Sequence, residues 1–302
     1  MRKYLYYPGC SLHSTGKAYE ESMLSVFRYL NVDVEELKDW NCCGATSYAS
    51  IDEVQAFSLA ARNLVIAENQ NGKNGESPEL LTPCNACYLV LTKTQKYMST
   101  YPHVKEKVDK ALLATELHYK GKTKVRHPLD VIANDIGLKT VTEQVKNNLK
   151  GLRVACYYGC QIVRPFADFD DQHNPMTMDH LVNALGGEAV DWPLKTRCCS
   201  GSLTGTIPEA GLRLNRRLLV EAVKRNAEMI ITCCPLCQFN LECFQDKINA
   251  NYGENIHIPV MYFTQLMGVA FGLPEKDLGI QRLFVKPSWH SRSRKGGVKV
   301  HA

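Results

Sequence analysis

Apolar and polar positions follow two periods along this chain, and the same succession of periods occurs twice. Tyr4-Leu5-Tyr6-Tyr7 is a short apolar run closed by Pro8-Gly9, and Val154-Ala155-Cys156-Tyr157-Tyr158 is a second one closed by Gly159. Each predicts a β-strand ending in a glycine turn. Helical spacing predicts helices over 19–30 and 177–185, each leading to a short strand and a tryptophan, Trp40 or Trp192. Long helices are predicted over 52–70 and 208–226, with Asp52, Glu53, Pro208 and Glu209 at their starts, where acids and proline are favoured. Leu80-Leu81-Thr82 and Met229-Ile230-Ile231-Thr232 predict further strands, followed by helices over 88–98 and 238–250. Segments 125–137 and 260–272 each predict a strand turning into a helix that stops at glycine. Strands alternating with helices imply an α/β fold. The expectation is two pseudo-symmetric, duplicated α/β domains with small, largely parallel sheets and their chemistry at the C-terminal strand ends. The expected boundaries are 1–145 and 146–280, with a basic tail over 281–302.

Cysteine gives the repeat its chemistry. Ten of the thirteen cysteines fall into one pattern written twice: Cys10, the pair Cys42-Cys43 and Cys84-x-x-Cys87, then Cys160, Cys198-Cys199 and Cys234-x-x-Cys237. The offset between copies is 150 for the single cysteine (160 − 10) and for the Cys-x-x-Cys (234 − 84), and 156 for the pair (198 − 42). Ile51 and Ile207 stand eight residues after the pairs, with Glu53 and Glu209 two further on. So close a repeat identifies an internal duplication whose shared property is a five-thiol site. Cys160 opens the second site rather than Cys156, because only Cys160 follows a Tyr-Tyr-Gly turn as Cys10 follows Tyr-Tyr-Pro-Gly. Cys156, Cys233 and Cys243 are expected to be core residues.

Composition narrows the class. At 302 residues, with 45% hydrophobic and 22% charged residues, the chain has the make-up of a globular protein large enough for two cores. No apolar run approaches the ~18 residues of a membrane span. Met1-Arg2-Lys3 and the short Tyr4–Tyr7 run lack the ~7–15-residue apolar region of a signal peptide. A cytoplasmic location is therefore expected, where clustered thiols mean metal or redox chemistry more often than disulfides. The net charge of +5 is mild, and Arg282, Lys286, Arg292, Arg294, Lys295 and Lys299 concentrate it near the C-terminus. From Lys286 onward a solvated basic tail is expected, disordered or docked on a partner; without a basic stripe of interleaved aromatics elsewhere, nucleic-acid binding is not expected.

A Cys-x-x-Cys alone is equally a zinc hook or a redox dithiol. Adjacent cysteines do not easily bind one small tetrahedral ion, and a fifth thiolate exceeds the four that zinc accepts. An iron–sulfur cluster is favoured at each site, with zinc at one site as the lesser reading.

At these residues the chain resembles the cysteine-rich CCG-domain family, specifically the B subunit of heterodisulfide reductase and its relatives. The resemblance covers about residues 1–275 and both full motifs. It implies two non-cubane [4Fe-4S] clusters. Cys10, Cys42, Cys43, Cys84 and Cys87 would hold one, and Cys160, Cys198, Cys199, Cys234 and Cys237 the other. It further implies a protein that reduces or forms a disulfide by one-electron steps, with Cys43 and Cys199 working alongside the clusters. Its partners would be two further subunits of the same complex, one ferredoxin-like and one flavin-containing. Where the family commonly has glycine after the second pair this chain has Ser200, whose hydroxyl either bonds a cluster sulfur or is neutral. The wording Trp40-Asn41-Cys42-Cys43-Gly44-Ala45-Thr46 is closer to the heterodisulfide-reductase-like proteins of non-methanogens.

The competing reading is an electron-transfer or anchoring subunit of a dehydrogenase complex, as in related succinate dehydrogenase partners, with one [4Fe-4S] cluster and one structural zinc. A cysteine hydrolase is not expected, because the thiols form a cage rather than one nucleophile beside a histidine. His127 is read as a core histidine, with a pocket proton donor as the alternative. Arg126, Lys195 and Arg197 are candidates for an anionic substrate group, or plain surface cations.

Overall fold

The computed structural model describes residues 3–45, 47–71 and 77–287. It contains two four-stranded sheets in which every pairing is parallel. The first is built from β1 (Lys3–Tyr6), β2 (Asp33–Glu36), β3 (Glu79–Leu81) and β4 (Lys124–Arg126), in the order β2-β1-β3-β4. The second is built from β5 (Arg153–Tyr157), β6 (Glu188–Ala189), β7 (Met229–Thr232) and β8 (Val260–Tyr262), in the order β6-β5-β7-β8. Tyr6 pairs with Leu81 as Tyr157 pairs with Thr232, so the two central strands end side by side in each sheet. Central strands of a parallel sheet are covered on both faces and read as continuous apolar runs. The runs Tyr4-Leu5-Tyr6 and Met229-Ile230-Ile231-Thr232 are accordingly buried throughout.

The duplicated fold expected from the sequence is therefore present. The long helices run over Glu53–Asn71 and Pro208–Lys224. In the first copy Ala60, Leu64, Leu80 and Leu91 share one apolar cluster with Leu5 and Tyr7. In the second, Trp192, Leu212, Leu219, Ile230 and Leu241 do the same with Tyr157. Two helices depart from expectation. The stretch 238–250 is two helices, Pro235–Glu242 and Gln245–Tyr252, broken at Cys243-Phe244. The stretch after β4 is a short helix, Pro128–Asp130, followed by a π-helical segment, Val131–Gly137. The sequence also conceals the helix Pro102–Leu113, which adds the apolar face Val104, Val108 and Leu112 to the first copy. In the second copy only a short connection links Tyr252 to β8, and the offset falls there from 150 to 135 (260 − 125).

The chain forms two compact units, and neither is a single stretch. One is built from the described parts of Met1–Ser14 and Phe27–Pro128, the other from Thr15–Val26 and the described part of Leu129–Ala302. Within the second unit Tyr19 stacks on Tyr262 at 4.4 Å, and the Ser22 and Thr264 hydroxyls are 2.7 Å apart. Arg282 pairs with Glu21 at 2.7 Å in the same unit, and the Lys286 ammonium donates to the carbonyls of Ile280 and Gln281. These two tail cations are thus held to the fold rather than loose, and Arg292, Arg294, Lys295 and Lys299 lie outside the described residues.

Candidate iron–sulfur sites

In each copy three of the five motif cysteines stand at the C-terminal ends of the two central strands, and the adjacent pair follows an edge strand. Cys10 lies in the short helix Gly9–Leu12 that follows β1, and Cys160 lies in the turn after β5. Cys84 and Cys234 directly precede the helices Asn85–Thr100 and Pro235–Glu242, which carry Cys87 and Cys237 in their first turns. The pairs Cys42-Cys43 and Cys198-Cys199 come in on loops beyond β2 and β6. All thirteen cysteines are free thiols. Within a site the sulfurs converge: Cys43 Sγ lies 3.2 Å from Cys87 Sγ, and Cys199 Sγ lies 3.5 Å from Cys237 Sγ. The second member of each pair and both members of each Cys-x-x-Cys are buried, while Cys10, Cys42 and Cys198 are exposed. Cys156 and Cys233 are fully buried in the second unit and Cys243 is half-buried.

Local backbone chemistry explains how two adjacent thiols face one site. The residue after each pair has a positive φ, +74° at Gly44 and +78° at Ser200. This left-handed turn brings consecutive N–H groups onto the pair, forming an anion nest. Gly44 N–H serves Cys42 and Ala45 N–H serves Cys43, as Ser200 N–H serves Cys198 and Gly201 N–H serves Cys199. Glycine is at home in that conformation, whereas serine is strained there by about 1–3 kcal/mol. Ser200 offsets part of this through its hydroxyl, 2.6 Å from that of Thr204.

Thiols this close share protons unequally. Hydrogen bonds from Cys42 and Cys87 hold Cys43 down at about 4, and Cys42 and Cys87 are themselves pushed up. In the second copy Cys160 holds Cys198 down at about 6, Cys237 lowers Cys199, and Cys160 and Cys237 rise. Each site therefore favours thiolate within its cysteine pair, the form that binds metal.

Residues that the motif does not name position the pair. Tyr7 donates its hydroxyl to the carbonyl of Asn41 at 2.8 Å, and Tyr157 donates to the carbonyl of Arg197 at 2.6 Å. Both carbonyls belong to the residue directly before a cysteine pair. Burial and the neighbouring thiols raise both phenols, Tyr7 facing Cys87, Cys43, Cys42 and Cys10, and Tyr157 facing Cys237, Cys199, Cys160 and Cys198. The 150-residue offset between Tyr7 and Tyr157 was a legible signal for this role. Two asparagines carried no such signal. Asn63, fully buried, accepts from Asn41 N–H at 2.9 Å and donates to Asn41 O at 3.0 Å; at the same 156-residue offset the second copy has Leu219. Asn240 donates to the carbonyls of Gly201 and Cys199, and 150 residues earlier stands Val90.

The cations considered for an anionic substrate are committed elsewhere, with one exception. Arg126 pairs with Glu79 at 2.7 Å. Lys195 is buried against Asp179 at 2.8 Å, whose other oxygen accepts from Tyr158 at 2.7 Å. Paired inside the protein, neither is a surface cation, and only Arg197 stays exposed. His127 is buried with Nε2 3.0 Å from the carbonyl of Pro83, directly before Cys84, and edge-on to Tyr88. It is a core residue that braces the backbone entering the Cys-x-x-Cys.

Comparison with known proteins agrees with this architecture. The model of the cysteine-rich CCG domain matches residues 4–92 and again 154–242. The chain is 32% identical over 289 residues to a protein of Archaeoglobus profundus described as like the B subunit of heterodisulfide reductase, covering 93% of this chain and 94% of that one. It is 28% identical over 281 residues to the 8-methylmenaquinol:fumarate reductase membrane anchor subunit of Wolinella succinogenes, covering 92% and 95%. It is 27% identical over 287 residues to the B subunit of the ferredoxin:CoB-CoM heterodisulfide reductase of Methanosarcina mazei, covering 93% of each. Among solved structures, a hypothetical protein from Helicobacter pylori shares the fold with a TM-score of 0.75 at 15% identity. That match covers 94% of this chain and about half, 52%, of the other. No described helix is long and apolar enough to cross a membrane. With both copies of the domain matched and relatives aligned along nearly the whole chain, this protein belongs to the cysteine-rich CCG-domain family that includes the B subunit of heterodisulfide reductase.

Proposed function

We propose that this chain is the iron–sulfur subunit of a heterodisulfide-reductase-type oxidoreductase, acting on a disulfide or thiol substrate through two [4Fe-4S] clusters of the non-cubane type. One cluster would be held by Cys10, Cys42, Cys43, Cys84 and Cys87, the other by Cys160, Cys198, Cys199, Cys234 and Cys237. The observation that carries the reading is the duplicated convergence of five free thiols, with sulfurs as close as 3.2 Å and 3.5 Å. The surroundings fit such a group. Every motif donor is a soft thiol, and a fifth donor exceeds what zinc takes. Gly9 leaves room that a side chain would fill, since a Cβ there would meet Cys87 Sγ at 3.1 Å. When bound, such clusters supply the one-electron steps by which a disulfide is reduced or formed.

The chain's own residues prepare this. The nests at Gly44 and Ser200 favour thiolate at the paired cysteines, and Tyr7 and Tyr157 fix the peptides that present them. Exposed Cys42 and Cys198 mark the open side of each site, where a sulfur substrate would approach, while Cys43 and Cys199 lie beneath. Two partner subunits, one ferredoxin-like and one flavin-containing, would exchange electrons with it in a cytoplasmic, thiol-reducing setting.

Similarity to the Wolinella succinogenes membrane anchor favours a second reading, in which the chain anchors a complex or relays electrons with one cluster and one structural zinc. Metal analysis of anaerobically prepared protein separates the two. About eight irons and no zinc per chain support the first, and about four irons with one zinc the second. Electron paramagnetic resonance with and without small thiols then tests the substrate class. Spectra that no thiol alters would exclude direct action on sulfur.

A further inference from the structure

The two sites share their backbone donors but not their side-chain donors. Asn240 is 1% exposed, and its Nδ2 lies 2.8 Å from Gly201 O, 3.1 Å from Cys199 O and 3.6 Å from Cys199 Sγ. An amide nitrogen carries two hydrogens. One serves Gly201, and the other is shared between the carbonyl and the sulfur of Cys199. At the corresponding place in the first copy the side chain is Val90, buried at 8% exposure, which has no hydrogen to give to Cys43.

A second difference has the same sign. The Arg164 backbone N–H donates to Cys160 O at 3.1 Å and its guanidinium donates to Thr196 O, two residues before Cys198, which places a positive charge beside the second site. The residue four places after Cys10, where Arg164 follows Cys160, is the neutral Ser14. The N–H groups of the turns after the cysteine pairs occur in both copies and cancel in the comparison. Asn240 and Arg164 do not cancel.

Hydrogen bonds and positive charge at a cluster's sulfurs favour its more negative, reduced state and raise its potential. We infer that the two sites are redox-inequivalent: Asn240, seconded by Arg164, holds the site of Cys160, Cys198, Cys199, Cys234 and Cys237 at a more positive potential than its counterpart. This rests on the two-cluster reading above. An electron entering the chain would reside first on the second copy, and the first copy would be the stronger reductant. Asn240 is a positioning and tuning residue, acting through Cys199.

The test uses the full-length, iron-loaded protein, poised anaerobically at a series of potentials with dithionite and read by electron paramagnetic resonance. Iron is counted on the same samples before any potential is applied. Two signals with separate midpoints are expected. Asn240→Val should move the higher midpoint to more negative potential and leave the lower in place, and Val90→Asn should raise the lower one. One common midpoint in the wild type, or midpoints that neither substitution moves, would overturn the inference. Should either variant lose iron, Arg164→Gln carries the test: a fall in the higher midpoint alone supports the inference, and unmoved midpoints overturn it. A wild-type iron count of only one cluster would overturn the two-cluster reading instead, and it is read independently of any midpoint.

Discussion

The two copies place the same five thiols by the same backbone and then brace them differently. In the first, Asn63 clamps the N–H and carbonyl of Asn41 from the long helix, and the neighbour of the buried thiols on the next helix is the apolar Val90. In the second, Leu219 replaces the clamp, and the polar contacts come from Asn240, from the Ser200–Thr204 pair and from the buried Lys195–Asp179–Tyr158 network. A duplicated scaffold thus keeps whatever directs the thiols, the strand ends, the positive-φ turn and the tyrosine, while the residues behind them diverge. Polar atoms near a sulfur alter its electronics, whereas polar atoms clamping the backbone alter only its position. The first copy uses its asparagine for position and the second for both.

The largest effect expected is from the thiolates themselves. Cys43→Ala and Cys199→Ala should each abolish turnover and each leave about half the wild-type iron, one site failing without the other. Chelating all iron should lower the melting temperature of the wild type, because each site ties segments far apart in sequence. Loss of all iron from either single variant would show that the copies are not independent. An unchanged melting temperature after chelation would show that the sites are peripheral to stability.

Next comes a pH effect confined to the second copy. Glu242, where the first copy has Thr92, accepts from the backbone N–H groups of Phe284 and Val285, and burial pushes it up to about 7. Its folded value lies above the ordinary 4.5. The folded state therefore holds the proton more tightly, and stability from this group is full below about pH 4.5 and is lost as pH rises through about 7. The swing is at most roughly 3 kcal/mol. Urea midpoints between pH 5 and 8 should fall for the wild type and flatten for Glu242→Gln. Parallel profiles would remove Glu242 as the cause.

The asparagine clamp gives a smaller, copy-specific effect. Asn63→Leu imports the second copy's residue and leaves the Asn41 N–H without its acceptor, at a cost of about 1–3 kcal/mol. Gly44→Ala forces a side chain into a left-handed turn and should cost about 1–2 kcal/mol, while Ser200→Gly in the other copy should be near neutral or stabilising. A near-zero cost for Ser200→Ala in denaturant unfolding would show that the Ser200–Thr204 contact gives no compensation. The smallest effect tests what the copies share: Tyr7→Phe and Tyr157→Phe should each cost about 1 kcal/mol, and alike. A marked inequality would place one tyrosine outside the common scaffold.

Spacing and periodicity alone determined the duplication, the ten motif cysteines, the parallel α/β architecture and the strand ends where the thiols stand. Those features repeat in register, and repetition is visible in one dimension. The helix Pro102–Leu113 was not visible, since it has no partner in the second copy to mark it. Nor was the break at Cys243-Phe244, because two short helices in sequence share the apolar period of one long one. Tertiary structure alone decided the roles of single polar residues. Asn63, Asn240, Arg126 and Lys195 each look like an ordinary surface residue in the sequence, and only burial and the partner brought to within hydrogen-bonding distance show that each is committed. A polar side chain's function depends on which acceptor or charge it meets, and that is set by contacts between residues distant in the chain.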